Sequence, residues 1–372
     1  LIPVLLKTLL HAIVFLLTFQ YTNQAMKDII TAVALMLVGS ACNSGGADAS
    51  ITKDTMEKSQ TPNQSYKATG SIEILDPSVL SILDSSAKPE ILAEGFAWSE
   101  GPLWIEKGEY LLFSDIPPNK IMRWDEKTGL STYLHPSGYT GSEPREGEPG
   151  SNGLILDKED RLVLCQHGDR RMARMDAPLD QPSPKFITLA DKFEGKRFNS
   201  PNDAVYHSNG DLYFTDPPYG LVKNMEDSSK ELDYQGVYRL RKDGKVELLT
   251  KEISRPNGIA LSKDEKKLYI ANSDRNRIWM AYDVKPDGGI SNGKILYDAT
   301  ADKDRGSPDG MKVHSSGNIF SSGPGGVIVL SPDGKLLARI RVGDVCSNCA
   351  FDKDEKYLYI TANHWLVRLK LK

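Results

Sequence analysis

The sequence predicts an all-β fold, a six-bladed β-propeller of four-stranded blades, and three observations predict it. A polar phrase returns six times: Ser-Glu-Gly-Pro at 99–102, Ser-Asn-Gly at 151–153, Ser-Pro-Asn-Asp at 200–203, Arg-Pro-Asn-Gly at 255–258, Ser-Pro-Asp-Gly at 307–310 and Cys-Ser-Asn-Cys at 346–349. The steps between the central residues Glu100, Asn152, Asn202, Asn257, Asp309 and Asn348 are 52, 50, 55, 52 and 39 residues, each about one propeller blade. After every phrase an apolar run, a polar turn and a second apolar run follow, whereas helix periodicity is almost absent.

Taken in order, each unit supplies its strands. The first two are clearest in Gly258-Ile259-Ala260-Leu261 with Leu268-Tyr269-Ile270-Ala271, and in Ala204-Val205-Tyr206 with Leu212-Tyr213-Phe214 across the hairpin pair Asn209-Gly210. Third strands are expected at 120–124, 171–175, 236–241, 277–282 and 327–330, and fourth strands at 131–134, 185–189, 246–249, 294–297 and 335–340. The sixth unit is short: after Asn348 only 350–351, 357–361 and 365–370 remain. The spare strand lies at the other end of the chain, where Glu90-Ile91-Leu92-Ala93 precedes Glu100 as 246–249 precedes Asn257. Pairing it with the last blade closes the ring and hides sheet edges. The propeller is therefore expected over 71–372.

The N-terminal 70 residues read differently. Stretches 9–19 and 29–38 are apolar but each is short for a membrane span. Met26-Lys27, the apolar run and Gly39-Ser40-Ala41-Cys42 have the charge, core and small residues of a secretory signal. The expectation is an upstream segment at 1–25, a signal at 26–42 and a polar tether at 43–70, with the propeller working outside the cytoplasm. Cys42 resembles a lipoprotein acceptor, although Gly39 stands where such signals carry an aliphatic residue, so cleavage after Ala41 without lipid is the alternative. A lipid on Cys42 would be the only membrane contact, placing the protein in the periplasm or at its membrane. Lys and Arg total 46 against 50 Asp and Glu, and with no basic block nucleic acid is not an expected partner. Cys346 and Cys349 form half a zinc motif at most, and a disulfide between them would close a strained ring.

First strands line a propeller's channel, so the six central residues ring one mouth. Second strands end at the same mouth and add Asp115, His167, Asp216, Asn272, Ser322 and Asn363, 13 to 15 residues further on. Turn chemistry alone accounts for any one of these; it does not account for Glu100 in phase with four Asn and one Asp. Two carboxylates, Glu100 and Asp309, with amide oxygens of Asn202 and Asn257, suit a hard divalent cation with open positions for water and substrate. One ion is expected, Ca²⁺ first, with Mg²⁺ or Zn²⁺ as alternatives.

These motifs resemble the SMP-30/gluconolactonase/LRE family, and the resemblance runs from Ile91 to Lys370. It is carried by Glu-Gly-Pro-Leu-Trp at 100–104, Gln-His-Gly-Asp-Arg-Arg at 166–171, Arg-Phe-Asn-Ser-Pro-Asn-Asp at 197–203, Tyr-Phe-Thr-Asp-Pro-Pro-Tyr-Gly at 213–220, Arg-Pro-Asn-Gly at 255–258 and Pro-Asp-Gly-Met at 308–311. It implies metal ligands at Glu100, Asn257 and Asp309, with Asn202 contributing, a general base at Asp309, and the bacterial gluconolactonase-like branch. The reaction implied is hydrolysis of a sugar lactone whose carbonyl sits on the cation, with Asp309 or a cation-held hydroxide serving the attacking water. His167 is a catalytic candidate for proton transfer, or else a structural hydrogen-bonder. Asn152, Asn202, Asp216 and Tyr219 are candidates for substrate contact, with the Pro217-Pro218 turn as the alternative employment of Asp216 and Tyr219. Aryl esters or other lactones on the same site, decided by the loop 135–150, and a non-catalytic binding propeller are the other readings.

Overall fold

Each blade's second strand is buried on both faces because neighbouring blades cover both sides, and this two-sided burial organises the whole molecule. The computed structural model describes residues 65–372. Blade 1 consists of Ser99–Ile105, Tyr110–Asp115, Lys120–Asp125 and Gly129–Leu134; blade 2 of Ser151–Leu156, Leu162–Gln166, Arg171–Met175 and Phe186–Ala190. Blade 3 consists of Ala204–Tyr206, Leu212–Asp216, Gly236–Leu240 and Val246–Thr250; blade 4 of Pro256–Leu261, Lys267–Asn272, Ile278–Val284 and Ile290–Asp298. Blade 5 holds Met311–Val313, Ile319–Gly323, Gly326–Leu330 and Leu336–Arg341, and blade 6 Asn348–Phe351, Tyr357–Ala362 and Trp365–Lys370. All pairings are antiparallel, and helix among the described residues is limited to three short 3-10 turns.

The expected closure is present: Glu90–Glu94 is the fourth strand of blade 6, with Leu366 opposite Ala93 and Val367 opposite Ile91. The N-terminal segment does more than the sequence indicated. Ser71–Ile74 adds a fifth strand to blade 5, Ile72 opposite Ile340, and Lys67–Ala68 adds one to blade 6. The sheet thus takes in residues 67–68, which the sequence assigned to a tether ending at 70. Such two- and four-residue pieces carry too little periodicity to be seen in advance. The upstream stretch, the signal with Cys42 and most of the tether lie outside the described residues.

Alternation along each strand sends neighbouring side chains to opposite blades. Leu112 packs between blades 1 and 2, while Leu111 and Phe113 pack between blades 6 and 1; Phe214 faces blade 2 and Tyr213 faces blade 4. Six apolar clusters result, one at each junction of successive blades.

Near the axis the blades are joined by backbone. Hydroxyls of Ser114, Thr215 and Ser347 donate to the carbonyls of Asn152 (2.8 Å), Asn257 (2.7 Å) and Ser99 (2.7 Å) on the following blade. The Gly after the central residue permits this approach: a Cβ on Gly101, at φ +53°, would lie 2.2 Å from Asn152 O, and one on Gly258 2.1 Å from Asp309 O.

If the closing strand belongs to the cooperative unit, Leu92→Ala should cost about 2–5 kcal/mol, the range for a buried leucine truncation, and as much as Leu111→Ala in the same cluster. Denaturant titration of both variants checks this; a negligible shift for Leu92→Ala alone would mean that the strand frays independently.

Candidate active site

The central residues converge as their phase requires. Glu100, Asn152, Asn202, Asn257 and Asp309 line one cavity of about 340 Å³, together with Tyr219. Asn348 stands beside it and orients Glu100: its Nδ2 donates to Glu100 Oε2 (3.2 Å), which also accepts from Gly101 N (2.5 Å). A larger cleft of about 660 Å³ lies at the far hairpins of blades 2 and 3, around 157–161 and 207–210, and contains none of these residues.

The electrostatics of the cavity are unbalanced toward negative charge. Glu100 is 2% exposed, and burial pushes its carboxyl up to about 8 against the hydrogen bond from Gly101, with Asp203 adding repulsion. Asp309 is raised well above the usual carboxylate range by burial, then by Glu100, Asp203 and Glu148. Asp203 is itself buried, its carboxyl raised by burial against the charge of Lys312, and its Oδ2 has no hydrogen-bond partner. Lys312 Nζ is held 3.4 Å from Asn348 Oδ1.

The amides supply oxygen. Asn257 Nδ2 donates to Ser273 Oγ (2.8 Å) and Asn202 Nδ2 lies 3.5 Å from His167 Nε2, so each nitrogen is occupied by protein and the oxygen turned away from that partner. Asn152 Oδ1 is buried without a partner. Among the described residues no three His, Cys, Asp or Glu side chains converge as a metal cluster. The donor set here is two carboxylates and amide oxygens, with an orphaned buried oxygen among them; that is the chemistry of a hard cation such as Ca²⁺ or Mg²⁺ and a poor match for Zn²⁺.

The second-strand ends do a different job from the one expected. Asp115 Oδ1 accepts from Ala97 N (3.0 Å) and Trp98 N (3.1 Å), and Asn272 Oδ1 accepts from Arg255 N (2.9 Å). Asp216 follows the same pattern: Oδ2 accepts from Asn199 N (2.8 Å) and Oδ1 from Ser200 N (2.7 Å). Its side chain is fully buried outside the cavity wall. Of the two readings of Asp216, substrate contact or a part in the turn, the geometry favours the second: it clamps the segment leading into Asn202. Burial raises its carboxyl to about 7 against those two hydrogen bonds. Tyr219 does line the cavity, its hydroxyl raised to about 12 by burial and then by Asp309. His167 is completely buried behind the wall, Nε2 toward Asn202 and Nδ1 3.3 Å from Glu148 Oε2.

The sequence reading missed Trp98, Arg255, Ser307 and Cys346, which also line the cavity. Each stands two positions before a central residue, and in extended chain residues two apart share a face, so the same repeat could have identified them. Glu148, on the loop 135–150, and Arg277 and Ser273, beyond the second strand of blade 4, had no periodic signal that pointed to the cavity. Cys165, Cys346 and Cys349 are buried free thiols.

A family model described as "SMP-30/Gluconolactonase/LRE-like region" matches residues 98–364. A gluconolactonase from Zymomonas mobilis subsp. mobilis is 39% identical over 320 residues, 83% of this chain and 88% of its own. Regucalcin from Danio rerio is 24% identical over 286 residues, 75% of this chain and 87% of its own. The solved structure of a gluconolactonase from Xanthomonas campestris superposes with a TM-score of 0.71 at 30% identity, covering 83% of this chain and 99% of that one.

Asp216→Ala removes the acceptor of two buried backbone N–H groups. It should lower stability by about 2–6 kcal/mol, at about 1–3 kcal/mol per unsatisfied donor, while Asp216→Asn, which keeps an acceptor, should cost less. In both, the KM for substrate should hold in the folded fraction; a raised KM at unchanged stability would restore Asp216 to the binding site.

Proposed function

The chain belongs to the SMP-30/gluconolactonase/LRE-like family and is a lactonase, and on that premise we propose that it opens sugar lactones in the central cavity with one divalent cation, Ca²⁺ in the first instance. The observation that carries the proposal is the convergence of Glu100, Asn202, Asn257 and Asp309 on one cavity wall. These four residues would hold the ion, and the carboxylates' mutual repulsion is what a bound 2+ charge would relieve. When bound, such an ion polarises an ester carbonyl and stabilises the charge that develops on its oxygen.

The protein's own residues do the rest. Asp309, on the cavity wall, accepts the proton of the attacking water. The proton then passes to the ring oxygen as the C–O bond breaks, which yields a hydroxy acid. Asn152 and Tyr219, on the same wall, offer hydrogen bonds to sugar hydroxyls. His167 and Glu148 act as a brace behind Asn202, which places its amide oxygen on the cavity side.

Hydrolysis of glucono-1,5-lactone should be abolished by chelator and restored by Ca²⁺ or Mg²⁺. Asp309→Asn should lose at least about a thousandfold in kcat, within the range for removing a general base, together with metal affinity. His167→Ala should cost about 10–100-fold in metal affinity and recover at high metal concentration. A rate loss that persists at saturating metal would make His167 a proton-transfer residue instead.

The pH dependence has a definite sign. Glu100 has an ordinary value of 4.5 and a folded value of about 8. In the metal-free protein its stabilising contribution is complete below the ordinary value and is lost as pH rises toward the folded one. A cation selects the ionised form, so its affinity should rise with pH by up to about tenfold per unit for each proton displaced. Calorimetric Ca²⁺ titrations across this range, on the parent and Glu100→Gln, measure it; a pH-independent affinity in the parent would exclude Glu100 as a ligand.

A further inference from the structure

The cavity has a second electrostatic pole. Arg255 and Arg277 enter its wall from blade 4 and the loop that follows its second strand, while the carboxylates of Glu100, Glu148 and Asp309 come from other blades and from the loop 135–150. Several partly buried arginines of the ring are ion-paired, Arg341 to Asp304 (2.8 Å), Arg368 to Glu90 (3.1 Å) and Arg339 to Asp302 (2.5 Å), whereas Arg145, Arg170 and Arg197 hold backbone carbonyls instead. Arg277 belongs to the second group and, among the described residues, has no ion pair of its own. It reaches only the backbone carbonyls of Asp302 (3.3 Å) and Asp304 (3.1 Å), because the two carboxylates are taken by Arg339 and Arg341.

Arg255 is in a similar position. Its guanidinium lies 6.0 Å from the centroid of the Tyr219 ring, and the nearby Asp274 carboxylate is turned onto Arg275 N (2.8 Å). Among the described residues neither Arg255 nor Arg277 is ion-paired. Two half-buried guanidinium groups outside any ion pair, on the wall of a cavity that also holds the Ser307 hydroxyl, form a receptor for an oxyanion.

We infer that the substrates of this lactonase carry an anionic group on the carbon chain remote from the lactone carbonyl, a carboxylate or a phosphate, bound by Arg255 and Arg277. The inference rests on the lactonase reading of the cavity. The arginines fix the orientation: holding the anion at their side of the cavity directs the lactone carbonyl to the opposite side, beside Asp309. Ring opening then gives a hydroxy acid with two anionic groups, the new carboxylate and the original carboxylate or phosphate.

The test compares three lactones on the metal-loaded protein: glucono-1,5-lactone, a hexonolactone phosphorylated on its terminal carbon, and the monolactone of a hexaric acid. The parent should show a kcat/KM about tenfold or more higher for at least one anionic lactone than for the neutral one, the advantage shrinking as salt screens it. Whichever anionic lactone is preferred distinguishes phosphate from carboxylate. Arg255→Gln should erase most of that ratio, and Arg255→Lys should retain part of it by keeping the charge without the fork. Because Arg277 also holds the 302–304 segment, the Arg255 variants carry the test.

Equal or better kcat/KM for the neutral lactone in the parent, or a ratio unchanged in Arg255→Gln, overturns the inference and leaves the lactonase reading in place. Failure to hydrolyse any of the three overturns the lactonase reading. The anion receptor is then decided by calorimetry with the ring-opened acids: tighter binding of an acid with two anionic groups than of gluconate, lost in Arg255→Gln, supports it, and equal binding sinks it.

Discussion

Every blade of this molecule is a sheet with two apolar faces, and no blade can cover both of its own. Burial is achieved only between neighbours, in six clusters that each draw on two successive blades. A linear stack of such sheets would leave two apolar faces in water, so the stack must close. Closure is made by the ends of the chain, Glu90–Glu94 against Trp365–Lys370, with Ser71–Ile74 and Lys67–Ala68 extending the clasp over blades 5 and 6. The cavity depends on this ring as a whole, because its wall residues come from every blade and no two neighbouring ligand candidates share a strand.

The polar groups at the cavity mouth divide into two rings with different work. The inner ring, at the starts of the first strands, faces the cavity; the outer ring, at the ends of the second strands, faces backbone. Asp115, Asp216 and Asn272 each accept hydrogen bonds from the N–H groups just before the inner residue of their own blade. The outer ring thus fixes the approach of the inner one. This division explains why buried carboxylates recur in the repeat without all of them being chemical: Asp216 and Glu100 are both desolvated, but only Glu100 lines the cavity.

Much of this was legible in the sequence. Blade count, strand pairing and the closing strand follow from a repeat whose period matches a known unit of burial, and the convergence of Glu100, Asn152, Asn202, Asn257 and Asp309 follows from their common phase. What was not legible has physical reasons. Phase places a residue at the mouth but does not say whether its side chain finds backbone or space, so Asp216 was left between substrate contact and a part in the turn. Sequence likewise left His167 with two roles, because its position behind Asn202 is a matter of depth rather than phase. Glu148 lies on a loop, where no periodicity operates; Arg277 opened an expected strand, 277–282, that begins one residue later at Ile278, so strand alternation did not direct it to the cavity; and the pieces 67–68 and 71–74 are too short to show any period.

The clasp also has a consequence in time. Ile91 pairs with Val367, so the contact that completes the ring joins residues nearly a whole propeller apart in sequence. Loop-closure entropy over such a distance must be met before the pairing returns any stabilisation. During synthesis the face of blade 1 formed by Leu111, Phe113 and Trp124 has no permanent cover until Tyr359 and Leu366 of the last blade have emerged. A growing chain therefore carries an adhesive surface from the emergence of blade 1 until Trp365–Lys370 has paired with Glu90–Glu94, the event that turns a sticky ribbon of sheets into a closed ring.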